Sequence, residues 1–279
     1  MCHHPFELGG AEFAIVLRYI ESAWPYRQFV FASIRGELKG RFARSKIGGA
    51  WFVLHPLAQA LIFALILSEV LGARIGGVDN KAAYSIYLMA GLAVWGLHSE
   101  ITTRFVGVFF EFQNVLKKIN FPRICLPFVV VGMAIFNHLL LVLAIVVIFA
   151  FFDHFPTIHW VALPVGAILT CTLASGLGII TGVLNVYSRD VAQVMTVIMQ
   201  MWFWLTPIVY TADILPDSMQ GAIALNPMTG LAGMYQDIML YHQWPDWSSL
   251  VYPAIIAIVL ALLAILVFRR ASAEIVDML

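Results

Sequence analysis

The chain has 279 residues, of which 61% are hydrophobic and 11% charged, and its 16 basic side chains balance 16 acidic ones. Together with a mean hydropathy of +0.88, this composition excludes an ordinary soluble domain and defines a polytopic membrane protein. A net charge of zero carries no information until the charges are placed along the chain, because their position relative to the spans sets orientation.

Residues 1–13 contain Glu7 and Glu12 and no Lys or Arg, unlike a secretory leader. Cys2, His3 and His4 lack a fourth ligand, so no metal is assigned. Residues 13–44 read as amphipathic. Trp24-Pro25 separates a short apolar piece, 13–20, from a helix with Phe31, Ile34, Leu38 and Phe42 on one face and Arg35, Glu37, Lys39, Arg41 and Arg44 on the others. That pattern predicts a helix lying in the membrane interface.

Six spans are then expected, at 50–71, 84–110, 124–151, 160–186, 191–210 and 250–268. Each is near or above the roughly 20 residues needed to cross the hydrocarbon. Seven basic residues precede the first span, Lys117, Lys118 and Arg123 follow the second, Arg189 follows the fourth, and Arg269 and Arg270 follow the sixth. Only Arg74 and Lys81 fall in a loop on the other side, so both termini are expected in the cytoplasm. The loop after the second span, with Val115, Leu116 and Ile119 at helical spacing, reads as a short amphipathic helix ended by Phe121 and Pro122. It serves either as a basic anchor or as a docking face for a partner.

Residues 211–249 contain no Lys or Arg and are too apolar for a plain external loop. Two pieces of helical spacing, 218–225 and 229–240, flank the turn signal Asn226-Pro227, which predicts a hairpin of short helices dipping into the outer leaflet. No internal repeat or linker is evident. The chain divides into a cytoplasmic N-terminal segment (1–49), a transmembrane domain (50–270) and a short cytoplasmic tail (271–279).

The sequence has no Gly-Lys dipeptide, hence no phosphate loop, and no H-E-x-x-H, C-x-x-C or G-x-S-x-G. Cys125 and Cys171 read as small apolar residues. His138, beside Asn137 within the third span, reads as a polar group that packs helices together. Glu100 and Arg104 stand one turn apart in the second span, where they would compensate each other as a structural ion pair or act in gating. Trp51, Phe52, Trp202, Trp204 and Tyr210 are either interface-belt residues or rings placed for the C–H faces of a sugar. Asp190 is expected to cap the fifth span, with Arg189 as an inside anchor.

Five ordered blocks resemble the signature of ABC-2 type permeases that export polysaccharides: ELKGRFARSKIGGAWFVLHPL from Glu37, LKKINFPRICLP from Leu116, VYSRDVAQV from Val186, TPIVY from Thr206, and Asn226-Pro227. The resemblance implies a homodimer of six-helix permeases above two copies of a separate ABC ATPase subunit. That subunit binds ATP and Mg, so this chain is no enzyme and carries no cofactor. It implies coupling to the ATPase through Leu116, Lys117, Lys118, Phe121, Pro122 and Arg123, with Arg189 and Asp190 also in contact. It further implies a gate helix with Glu37, Lys39, Arg41, Phe42 and Arg44, and an external re-entrant gate at 211–240. Gly36 replaces the family's usual Arg and Phe42 its usual Tyr, so no charge or hydroxyl contact is carried over there.

The expectation is therefore an all-α permease in the bacterial inner membrane that passes lipid-linked polysaccharide such as O-antigen. Its partners are a second copy of itself, the ATPase and membrane lipids, and not nucleic acid. A secondary transporter and an integral membrane glycan or lipid transferase are the alternatives. The first would call for midplane charges and matching halves, the second for a polar catalytic cluster at one interface.

Overall fold

The architecture was obtained as a computed structural model, which describes residues 24–43, 83–113, 125–151 and 154–271, together with Trp51, Leu54 and Ala58. The described residues are helical, without strands. After a 3-10 turn at Trp24–Tyr26 come α1 (Arg27–Ala43), α2 (Ala83–Glu111), α3 (Cys125–Phe151), α4 (Leu163–Tyr187), α5 (Asp190–Leu205), α6 (Asp217–Ala224), α7 (Pro227–Met239) and α8 (Val251–Ala271). The sequence-predicted boundaries of the second to fourth and sixth spans agree to within a few residues. The first span, 50–71, lies almost wholly outside the described residues.

Among the described residues three helical stretches are long and apolar enough to cross a membrane: Cys125–Ala150, Ile158–Tyr187 and Val251–Ala271. At 29 residues α2 has the length, about 43 Å at 1.5 Å per residue, but His98, Ser99, Glu100, Thr103 and Arg104 interrupt its apolar character. α5 is shorter than expected. Its 16 residues end at Leu205, and the chain from Thr206 to Tyr210 leaves the helix.

The helices alternate in direction, as short connections between neighbours require. α2 and α4 run in parallel and pack most closely, because Gly178 and Gly182 of α4 face Phe105 of α2. A Cβ at Gly182 would collide with the Phe105 carbonyl oxygen, and one at Gly178 would lie 2.7 Å from Phe105 Cβ. On another side of α4, a Cβ at Gly176 would lie 2.8 Å from the Leu260 backbone of α8. Small residues let backbones approach where lipid offers no hydrophobic driving force, so this stripe sets the α2–α4–α8 core.

The core divides into two clusters. One gathers the start of α2 with α7 and the 206–210 segment, including Ile86, Leu88, Ile208, Met228 and Tyr235. The other gathers the end of α2 with α3, α4 and α8, including Ile101, Phe105, Leu126 and Val183. This separation gives the bundle two differently built ends.

Candidate functional site

At one end the chain leaves α5 at Thr206 and runs irregularly through Pro207, Ile208, Val209 and Tyr210. Thr206 and Ile208 are fully buried. Irregular backbone at this depth must have its carbonyls satisfied by protein. Tyr84 and Tyr87, on the first turns of α2, supply the donors. The Tyr84 hydroxyl donates to the Val209 carbonyl at 2.8 Å, and the Tyr87 hydroxyl lies 3.0 Å from the carbonyls of both Pro207 and Tyr210. Gln236 of α7 adds a donor to the Pro207 carbonyl at 3.0 Å. Gly91 makes room, since a Cβ there would lie 2.9 Å from Ile208 Cγ2.

Two short helices, α6 and α7, occupy the stretch where the hairpin is expected, and Asn226 lies between them. The Asn226 side chain makes four hydrogen bonds, one to α7 and three to α5 and the residue that follows it. Its Oδ1 caps α7 by accepting from the Met228 N–H at 3.0 Å and accepts from the Trp202 indole N–H at 2.7 Å. Its Nδ2 donates to the Leu205 carbonyl at 3.2 Å and to Thr206 Oγ1 at 2.9 Å. An N-cap acceptor is the expected role for Asn before Pro at the first helical position. The bonds to Trp202, Leu205 and Thr206 are an addition that sequence spacing does not reveal.

Trp202 and Trp204, read from the sequence as one group, have different surroundings. Trp202 packs edge-on against Trp95 and His98 of α2, with ring centroids 6.4 and 4.9 Å apart. Trp204, two residues on and about 200° around the helix, is 54% exposed. The Tyr210 hydroxyl donates to the Trp204 carbonyl at 3.1 Å. Trp51 is also exposed, at 53%, and Phe52 lies outside the described residues. Beside the end of α7, the His154 and His242 rings stack with centroids 4.2 Å apart, with His159 nearby across Thr157. Burial and these two neighbouring imidazoles hold His242 below its usual pKa.

The opposite end gathers charge. Arg104 Nη2 lies 2.9 Å from Glu37 Oε2 of α1 and 3.8 Å from Glu111 Oε1. Glu100 Oε1, by contrast, accepts from Asn137 Nδ2 of α3 at 2.6 Å. The nearest acid to Arg104 thus comes from 67 positions away rather than from the preceding turn. His138 matches its packing role, with Nε2 3.1 Å from the Tyr235 hydroxyl.

Asp190 does not cap α5. The helix begins at Asp190 itself, Arg189 is the cap residue, and no side-chain capping bond forms there. Asn185 does this work instead. Its Oδ1 accepts from the Ala192 N–H at 3.2 Å while its Nδ2 donates to the Val106 carbonyl at 2.8 Å, tying the ends of α2, α4 and α5 together. Asp190, already inside the first turn, cannot fold back to accept that bond. Arg189 is exposed at this corner, its guanidinium 5.4 Å from the centre of the Phe110 ring.

Of the residues expected in a gate helix, Glu37 is half-buried, Lys39 is exposed, Arg41 and Phe42 belong to α1, and Arg44 lies outside the described residues. Leu116, Lys117, Lys118, Phe121, Pro122 and Arg123 also lie outside them, as do Cys2, His3 and His4. Among the described residues no group of three metal-ligating side chains converges.

Among the described residues the chain is a helical bundle with apolar spans, buried irregular backbone at one end and a charged corner at the other. A model of the ABC-2 type transporter family matches residues 28–240, and the chain belongs to that family. It is therefore a multi-pass membrane protein. It is 26% identical over 261 residues to the O-antigen export system permease protein RfbA of Myxococcus xanthus, covering 93% of this chain and 98% of that one. It is 28% identical over 206 residues to an O-antigen export system permease protein RfbA of Klebsiella pneumoniae, covering 73% and 77%. The polysialic acid transport protein KpsM of Escherichia coli is 19% identical over 237 residues, covering 84% and 89%.

Proposed function

We propose that this chain is the permease subunit of an ATP-driven exporter that moves a lipid-linked polysaccharide of the O-antigen class across the bacterial inner membrane. The observation that carries this reading is the match along 93% of the chain to an O-antigen export permease. The protein's own geometry supports it. α2, α3, α4, α5 and α8 alternate in direction, and with 50–71 they make six spans whose basic flanks, at Arg189, Arg269 and Arg270, fall on one side. That side is cytoplasmic by the distribution of charge. The ATPase then docks on that side, through Arg189 and Asp190 and through the sequence 116–123 that resembles the family's coupling segment.

The hairpin α6–α7 is the external re-entrant gate. Its turn at Asn226 reaches back to Trp202, which itself touches His98 deep within α2. A second copy covers the apolar face of α5, where Val194, Val197, Met201 and Trp204 are all more than half exposed. The polymer passes along that seam.

The contrast between the two tryptophans gives a direct test. Trp204→Leu keeps most of the apolar volume but removes an exposed ring, worth about 0.5–1.5 kcal/mol if a sugar face behaves as an aromatic neighbour does. Export of the polymer should fall several-fold while protein level, ATPase association and basal ATP hydrolysis stay near wild type. Trp202→Leu should instead lower the thermal midpoint, because the Asn226 acceptor loses its indole donor. Full export by Trp204→Leu would remove the α5 face from the polymer path.

A further inference from the structure

α1 has a sequence that is poorly suited to standing alone. It is 17 residues long and contains Gly36 and Gly40, each costing about 0.5–1 kcal/mol relative to Ala inside a helix. Among the described residues nothing lies within 4 Å of a Cβ at either glycine. A helix of this length is marginal without tertiary support. Two side chains on one face, three residues apart, contribute to that support. Ile34 seats its Cδ1 against Gly132 of α3, where a Cβ would lie 2.7 Å away. Glu37 reaches Arg104 of α2 at 2.9 Å.

The ion pair is the more specific of the two contacts. The Arg104 and Glu37 side chains are only 14% and 21% exposed, so losing either partner would leave a charge poorly solvated. Glu111 adds a longer contact at 3.8 Å from the exposed edge. Arg35 and Lys39, also on α1, are exposed. Glu100 is engaged with Asn137 one turn deeper.

We infer that Arg104 is the positioning residue for α1: through Glu37 it clasps the interfacial helix to α2, and opening that pair loosens α1 from the bundle. This rests on the reading of α1 as the gate helix of an exporter. It gives the intramembrane arginine a role distinct from neutralising its own helix.

The test uses the full-length protein with Cys2, Cys125 and Cys171 replaced by alanine and spin labels on Gln28→Cys and Thr103→Cys, at exposed positions of α1 and α2. With Glu37 and Arg104 intact, pulsed dipolar spectroscopy should give a narrow distance distribution. Glu37→Arg and Arg104→Glu should each broaden it, and the double exchange should narrow it again. A charge-assisted bond shifts an equilibrium about tenfold or more, so export per ATP hydrolysed should fall by that order in the single variants and recover in the exchange. Should a reversal variant not accumulate, Glu37→Gln and Arg104→Gln should broaden the distribution, with Arg104→Lys narrowing it again. Unchanged distributions in the single variants, or no narrowing on exchange, would overturn the clasp. Broadening with unchanged export would leave the clasp standing and remove α1 from the transport cycle.

Discussion

Gly182→Val is expected to remove most of the folded permease from the membrane. The new Cβ would occupy the place of the Phe105 carbonyl oxygen, and its methyl groups would press toward the Phe109 ring, whose Cε2 already lies 3.5 Å from that Cβ position. A flexible side chain can turn away, but a helical carbonyl cannot move without separating α2 from α4. Overpacking against side chains costs about 1–3 kcal/mol, and a collision with backbone exceeds that range. Against a typical total stability of about 5–15 kcal/mol, the loss is large. Gly233→Ala is the control, since a Cβ there meets nothing within 4 Å. Membrane level and detergent thermal midpoint should fall sharply for Gly182→Val and remain near wild type for Gly233→Ala. A wild-type midpoint in Gly182→Val would contradict the α2–α4 packing.

Asn226→Ala should abolish most export while leaving the protein in the membrane. The substitution removes the cap on α7, worth about 1 kcal/mol. It also strips partners from the Trp202 indole N–H and the Leu205 carbonyl, at about 1–3 kcal/mol for each group that becomes buried and unpaired. These losses share one side chain and are not additive, so a total of about 2–5 kcal/mol is expected. The consequence is local, because Tyr84, Tyr87 and Gln236 still hold the 206–210 segment. What is released is the hairpin turn from the end of α5. A double-mutant cycle makes the point quantitative: Trp202→Phe should lower the midpoint in the wild-type background and add little once Asn226 is Ala. Additive losses would mean that the 2.7 Å bond contributes nothing.

The features legible in the sequence were those set by local pattern. Long apolar runs marked α3, α4 and α8, and the Asn226-Pro227 turn signal fell between the two short helices α6 and α7. Features set by long-range contacts were not legible. Glu100 and Arg104 have helical spacing for a pair, yet each meets an element far away in sequence. Trp202 and Trp204 are alike in type and differ only in the direction that α5 turns them. Asp190 is a plausible cap by residue type, but Asn185, seven positions before Ala192, does the capping. Asn185, Gln236, Tyr84 and Tyr87 went unread. A usable signal was present in TPIVY, since a proline-containing apolar segment that ends a helix leaves carbonyls needing donors, and the hydroxyls of Tyr84 and Tyr87 lie within an otherwise apolar run.

The central claim is that this permease exports a glycan at the expense of ATP hydrolysed by a separate subunit. The most direct measurement is uptake of a lipid-linked polysaccharide into inside-out vesicles containing the permease, with and without its co-expressed ABC ATPase, in wild type and in the Lys117→Glu/Lys118→Glu variant. Uptake should require the ATPase and ATP, survive collapse of the ion gradients, and be lost with ATPase co-purification in the charge-reversed variant. Uptake without the ATPase, driven by an imposed ion gradient, would contradict the account.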